Sequence, residues 1–91
     1  MQIIHHLGEI LSIKIGISAA ASRGLIRLAI KEEFGPFTPL SKLNLRDYQK
    51  LIQNSLKRRL QVLDLENYKK IVDFLLKELL ENQSLITMEK V

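Results

Sequence analysis

The sequence contains no cysteine, which excludes structural disulfides, thiolate metal sites and cysteine nucleophiles. It also lacks tryptophan and has only three valines, whereas sheet-rich proteins normally use more β-branched and aromatic residues. No apolar run approaches the ~20 residues that a membrane-spanning helix needs. Glu9 and Lys14 also interrupt the N-terminal apolar segment, which argues against a signal peptide. These absences predict a cytoplasmic protein without a membrane segment.

The composition that remains favours helices. The chain has 91 residues, enough for one domain with a modest core, and 46% of them are hydrophobic, which is too many for a disordered chain. Leucine and isoleucine dominate, and together with the frequent lysine and glutamate they favour helix. We therefore expect a single all-α domain over residues 1–91. In it, residues 1–16 form an N-terminal helix, a candidate oligomerisation or docking segment, and residues 17–88 form the core.

Apolar residues at helical spacing first appear in residues 2–15. The overlapping stretch 11–17 alternates apolar and polar residues, as a half-buried strand does, so both structures are open there and helix is preferred. A second helix is expected from about Ala19 to Phe34, with Ser18 as its N-cap and Gly35 followed by Pro36 as its end. Within it, small residues including Gly24 would allow another helix to approach closely.

The next segment contains both prolines of the chain and cannot continue a helix. Its apolar residues Phe37, Leu40 and Leu43 are expected to pin it to the core. Two more helices follow, over about 45–61 with Asn44 as N-cap and over about 65–82 with Asp64 as N-cap, and residues 85–88 form an apolar tail. The predicted fold is a compact bundle of four helices with a Pro-containing connection between helices 2 and 3.

Little in the sequence indicates catalysis. His5, His6 and Glu9 form the only metal-like group, and they do not supply the three or four ligands that a zinc site needs. No P-loop, dinucleotide fingerprint, nucleophile elbow or calcium loop is present. We therefore expect no enzyme activity, no cofactor, no metal and no small-molecule substrate.

Basic residues are the stronger functional candidates. The net charge is +4, and the positive charge is concentrated in residues 36–63. Grouped cations bind phosphates without regard to sequence, although cations also pair with acidic groups of partner proteins or complement helix dipoles. The possible contacts to phosphates or to an acidic partner are Arg23, Arg27, Lys31, Lys57, Arg58 and Arg59. A major-groove helix-turn-helix is disfavoured, because Glu66 lies where phosphates would approach the second helix.

The apolar content exceeds what a chain of this size easily hides, which predicts a protein partner or a homodimer. The competing interpretation is that all these residues serve one monomeric core. The candidate apolar interface consists of Ile26, Ile30, Leu76, Leu80, Leu85 and Ile86.

Three stretches, residues 21–33, 56–60 and 82–88, resemble small helical output domains of archaeal, especially thaumarchaeal, two-component signalling proteins. The resemblance covers most of residues 17–88. It implies a non-enzymatic signalling module, usually joined to a receiver or sensor domain, and no such domain lies within these 91 residues. It carries over no active-site residues.

The leading functional interpretation is a small regulatory or protein-interaction domain, such as a signal-transduction output module. One alternative is a basic helical regulator that binds nucleic acid. Another is an accessory subunit of a larger complex.

Overall fold

The computed structural model describes residues 2–63 and 66–88, and all regular secondary structure within them is helical. The predicted all-α class is therefore confirmed for the described part of the chain. The elements are α1 (Gln2–Ile15), α2 (Ala19–Phe34), a 3-10 turn (Leu40–Lys42), α3 (Leu45–Leu51), a π-helical turn (Ile52–Leu56), α4 (Lys57–Val62), α5 (Tyr68–Glu81) and α6 (Gln83–Met88). The predicted cap at Asp64 lies outside the described residues.

Helix α1 resolves the choice between helix and strand in favour of helix. Ile3, Leu7 and Leu11 are at most 1% exposed, whereas Ile13, which belongs to the alternating pattern, is 81% exposed. The 3–4 spacing therefore decides which side chains reach the core. Because these residues belong to the same apolar cluster as those of the other helices, α1 is an integral part of the core.

Helix α2 begins and ends where the sequence predicts. The Ser18 side chain accepts a hydrogen bond from the Ala21 backbone N–H, and Gly35 ends the helix with a φ of 97°. Such a φ is readily adopted only by glycine. The close helix contact differs from the prediction. A Cβ at Gly8 of α1 would lie 2.6 Å from Arg23 Cγ, whereas a Cβ at Gly24 would meet no atom of another described element within 4 Å. Gly8 is thus the glycine that permits close approach.

The segment between α2 and α3 is held to the core by fewer residues than predicted. Leu43 is buried and Leu40 is half-buried against the core. Phe37 is 94% exposed, so the prediction that it pins this segment is wrong. Thr38 Oγ1 instead fastens the segment to α2 by donating a hydrogen bond to the Phe34 carbonyl oxygen at 2.6 Å.

The third predicted helix is observed as α3, the π-helical turn and α4 in succession. Asn44 and Asp47 form a capping box at its start, in which each side chain bonds to the other residue's backbone N–H. The backbone stays in the right-handed helical region at Ile52 and Lys57, where one element passes into the next. Its buried apolar face consists of Tyr48, Leu51, Ile52, Leu56 and Leu60.

Helix α5 is amphipathic and directs Ile71, Val72, Leu75 and Leu79 into the core. It ends at Asn82, as expected, because the Asn82 backbone N–H bonds back to carbonyl oxygens of the last turn. The apolar residues that follow form the short helix α6 rather than an irregular tail.

Candidate functional site

Arg58 and Arg59 of α4 are both paired with the same carboxylate of α2. Arg58 Nη2 lies 3.2 Å from Glu32 Oε1, and Arg59 Nη2 lies 2.8 Å from Glu32 Oε2. These side chains are between 31% and 60% exposed, so solvent screens the attraction and each pair stabilises the fold only slightly. Part of the positive charge predicted for phosphate binding is therefore compensated within the chain.

Ser55 extends this ionic contact from the π-helical turn. Its fully buried hydroxyl donates a hydrogen bond to Glu33 Oε1 at 2.8 Å and accepts one from Arg58 Nη2 at 3.1 Å. Glu32 and Glu33 of α2, Ser55, Arg58 and Arg59 thus form one polar network between α2 and α4. Lys57 lies beside it and, with Glu33 and Arg58, lines a shallow polar depression.

The other three predicted cations lie elsewhere on α2. Arg23 covers Gly8 with its aliphatic stem, so it packs against α1. Arg27 and Lys31 are exposed, and neither has an ion-pair partner among the residues that the structure describes. The six cations therefore do not form a single surface, and the predicted phosphate-binding set separates into three local environments.

The predicted apolar interface needs a correction. Ile26, Ile30 and Ile86 are at most 5% exposed, because their positions on the helices face this chain's own core. They are unavailable to a partner in the folded protein. Leu76 and Leu85 are half-buried against the core, and Leu80 alone of the six is substantially exposed, at 46%.

A different apolar surface lies between α2 and α4. Leu25, Val62 and Leu63 line an open groove of about 360 Å³, and Glu32, Arg58 and Arg59 line its charged side. Val62 is 83% exposed and Leu63 is 50% exposed. Leu28, also 50% exposed, lies three residues after Leu25 and thus on the same side of α2. We call this surface, with Leu28, the α2–α4 groove.

The sequence did contain a signal for this groove. Val62 and Leu63 are consecutive apolar residues that follow the helix predicted over about 45–61. Val62 lies two positions after Leu60, the last buried residue of that helix's apolar stripe, so helical spacing directs it away from the core and its exposure is expected. Leu63 lies three positions after Leu60 and would keep the core spacing, so its exposure is not expected from the sequence. Their juxtaposition with Leu25 depends on how α4 packs against α2, which the spacing within one helix does not specify.

A second, smaller concavity lies at the end of α2. Arg27, Ile30, Lys31, Gly35, Pro36, Thr38 and Leu40 line a pocket of about 180 Å³, which we call the loop pocket. The exposed Phe37 lies in the chain between two of these lining residues. Fully burying a phenylalanine side chain contributes about 1.5–3 kcal/mol of stabilisation, and here that contribution is forgone.

The two histidines do not form a metal site with Glu9. His6 Nε2 lies 3.1 Å from Glu78 Oε2 and connects α1 to α5, while His5 is exposed. Within residues 2–63 and 66–88, no three histidine, aspartate or glutamate side chains are grouped so as to hold a metal ion.

None of the described helices is by itself long and apolar enough to cross a bilayer. Helices α1 and α2 reach the required length and apolar character only as a pair, and their axes are bent by 115° at the junction.

Comparison with known proteins gives no match: no family model, no curated protein and no solved structure is similar to this chain.

Proposed function

We propose that this protein is a small non-enzymatic interaction protein that acts by binding, and that its partner at the α2–α4 groove is a second copy of the chain. The observation that carries the proposal is the exposure of Val62, Leu63 and Leu28 beside an open apolar groove. Contiguous exposed apolar surface of this kind typically marks a protein-binding site. For the fold, we regard α3, the π-helical turn and α4 as one interrupted helix, which with α1, α2 and α5 makes the predicted bundle of four.

The charges at the groove support a second copy as the partner. A two-fold interface brings the same surface of both subunits together, so that surface must be complementary to itself. The α2–α4 groove carries an acidic residue, Glu32, and two basic residues, Arg58 and Arg59, next to its apolar centre. Each sign of charge on one copy therefore has a counterpart to face on the other.

The same ionic pairing weighs against the alternative in which all six predicted cations bind phosphates. Arg58 and Arg59 would have to give up Glu32, or bind an anion beside its carboxylate. A signalling role remains a proposal that rests on the resemblance to archaeal output domains. A self-associating helical domain without catalytic residues is compatible with such a role and also with an accessory subunit.

The test is a molar mass by light scattering at ~100 μM, a concentration that populates a dimer whose Kd is micromolar. We expect about twice the monomer mass of 10.5 kDa. The variant Val62→Glu places a charge in the centre of the interface and is expected to raise the dissociation constant at least about tenfold.

The matched control is Ile13→Glu. Ile13 is 81% exposed, almost as much as Val62, and lies on α1, which contributes no residue to the lining of the groove. This variant changes the net charge by the same amount and should leave the dimer intact. A monomeric wild-type protein at ~100 μM would contradict self-association. An equal loss of dimer in both variants would contradict the α2–α4 groove as the interface.

A further inference from the structure

Phe37 is held in an exposed position by well-defined local structure. Pro36 precedes it and Pro39 follows two residues later, which restricts the backbone on both sides. The hydrogen bond from Thr38 Oγ1 to the Phe34 carbonyl oxygen, at 2.6 Å, ties the segment back to the end of α2. Because the backbone on both sides of this ring is restrained, and the ring is 94% exposed, a ligand can reach it at little cost in backbone conformational entropy.

Two cations line the same loop pocket as Pro36 and Thr38, the chain neighbours of Phe37. These cations, Arg27 and Lys31, are exposed and have no ion pair among the described residues. They are four residues apart and so lie next to each other on one side of α2. In this respect they differ from Arg58 and Arg59, which already share the carboxylate of Glu32.

We propose that Phe37, Arg27 and Lys31 form a binding site for single-stranded nucleic acid. A base stacks on the Phe37 ring, and the adjoining backbone phosphates bind to Arg27 and Lys31 at the loop pocket. An exposed aromatic ring next to a positively charged concavity is the combination with which proteins bind single strands without sequence preference. The site requires only the chemistry shared by single-stranded DNA and RNA, a flat base and a phosphodiester backbone.

The geometry favours a single strand over the other anionic partners. Stable binding to an anionic membrane needs a large apolar face or a second anchor, and here one ring stands beside a pocket of about 180 Å³. A concavity of that size accommodates a phosphate group. In a double helix the bases are already stacked on one another, so their faces are not available to Phe37. The site does not depend on the proposed dimer, because none of the residues assigned to the α2–α4 groove takes part in it.

The experiment measures the fluorescence anisotropy of labelled oligothymidylate and oligouridylate of about 12 nucleotides, titrated with the full chain. The titrations are repeated between about 25 and about 200 mM NaCl. We expect saturable binding to both, with a slope of log K against log [salt] near −1.4 for two phosphate contacts. Phe37→Ala should weaken binding at least about fivefold through the loss of stacking, whereas Phe37→Tyr retains a ring and should bind nearly as well as wild type.

The charge-reversal variant Arg27→Glu/Lys31→Glu is expected to weaken binding at least about tenfold and to bring the salt slope close to zero. Its matched control is Lys69→Glu/Lys70→Glu on α5, which lowers the net charge by the same amount at two exposed positions. Comparing the two double variants separates a local site from general electrostatic attraction. Circular dichroism checks that every variant is folded.

Four outcomes would overturn the proposal. These are no saturable binding at about 25 mM salt, equal losses in the two double variants, full binding by Phe37→Ala, and binding of phosphatidylserine-containing vesicles without binding of oligonucleotide. The last of these would assign the site to a membrane surface. Because Val62→Glu leaves Phe37 and its cations unchanged, that variant should bind oligonucleotide with its site intact. Failure of one proposal is thus distinguishable from failure of the other.

Discussion

Helix α2 contacts α1 at one place and the π-helical turn with α4 at another, and the two contacts use different chemistry. Against α1 the approach is so close that a Cβ at Gly8 would lie 2.6 Å from Arg23 Cγ. At the π-helical turn and α4, α2 makes polar contacts. These join Glu32 and Glu33 to Ser55, Arg58 and Arg59. The first contact depends on side-chain volume, whereas the second adds ion pairs and hydrogen bonds to the apolar core that α2 shares with the π-helical turn.

The difference indicates which side of α2 is suited to a partner. Close packing leaves no room for another molecule and makes the contact sensitive to every added atom. A polar contact between partly exposed charges contributes little to stability, and its groups are free to rearrange when a partner binds. The exposed apolar residues Val62 and Leu63 lie where α4 meets α2, and the exposed Leu28 lies on the same side of α2 as Leu25. We therefore expect the contact between α2 and α1 to contribute mainly to the stability of the fold, and the surface between α2 and α4 to bind the partner.

The largest expected effect comes from removing volume on the α1 side. Leu11 is fully buried, so Leu11→Ala should lower the free energy of unfolding by about 2–5 kcal/mol through lost burial and a residual cavity. The same substitution at Leu80, which is 46% exposed, should cost about 1 kcal/mol or less. Urea denaturation followed by circular dichroism measures both. If Leu11→Ala and Leu80→Ala lowered the free energy of unfolding by similar amounts, α1 would be a peripheral segment and not part of the core.

A smaller effect is expected from adding volume at the same contact. Gly8→Ala gains about 1 kcal/mol in helix propensity, and overpacking against Arg23 costs about 1–3 kcal/mol, so we expect a net loss of stability. In the described part of the chain, the Cβ of Gly24→Ala meets no atom of another element within 4 Å, so this variant should stabilise the protein by up to about 1 kcal/mol.

A double-mutant cycle tests whether the effect of Gly8→Ala arises from its contact with Arg23. In an Arg23→Ala background the clashing Cγ is absent, so Gly8→Ala should become stabilising there. Thermal unfolding of the four proteins in the cycle gives the coupling between the two positions. A coupling close to zero would show that α1 and α2 are not in the tight contact described above.

The smallest effects distinguish the two fully buried serines. The Ser22 hydroxyl is buried without a hydrogen-bond partner among the residues that the structure describes, whereas the Ser55 hydroxyl has two partners. Ser22→Ala should therefore be neutral or stabilising by up to about 1 kcal/mol, and Ser55→Ala should destabilise by about 1 kcal/mol. Denaturant midpoints check both, and a change of the same sign at the two positions would contradict the polar network around Ser55.

The ends of α2 and the start of α3 were predictable because the cues are local. A serine side chain reaches a backbone N–H three residues later, and glycine at a helix end adopts a positive φ, whatever the rest of the chain does. The same reasoning predicted the capping asparagine at position 44. The buried side of α1 followed from its 3–4 spacing once helix was preferred to strand.

The apolar interface and the position of Phe37 were mispredicted for a shared reason. Ile26, Ile30 and Ile86 are apolar residues on amphipathic helices, and periodicity alone does not tell whether such a face meets its own core or a partner. By residue type alone, the Phe37 side chain is expected to be buried in the core. Its exposure follows from the course of the chain between two prolines, which the residue type does not specify.

By itself, the sequence determined that this protein is helical, where its second and third helical segments begin, and that it has no cysteine-based chemistry. The helical pattern and the helix starts follow from interactions that span at most four residues, and the lack of cysteine chemistry follows from composition alone. Only the tertiary structure decided that Glu32 pairs with both Arg58 and Arg59, that Arg27 and Lys31 have no ion pair among the described residues, and that Val62 and Leu63 meet Leu25 in an open groove. The ion pairs and the groove join residues more than 25 positions apart, and the packing of one helix against another sets them.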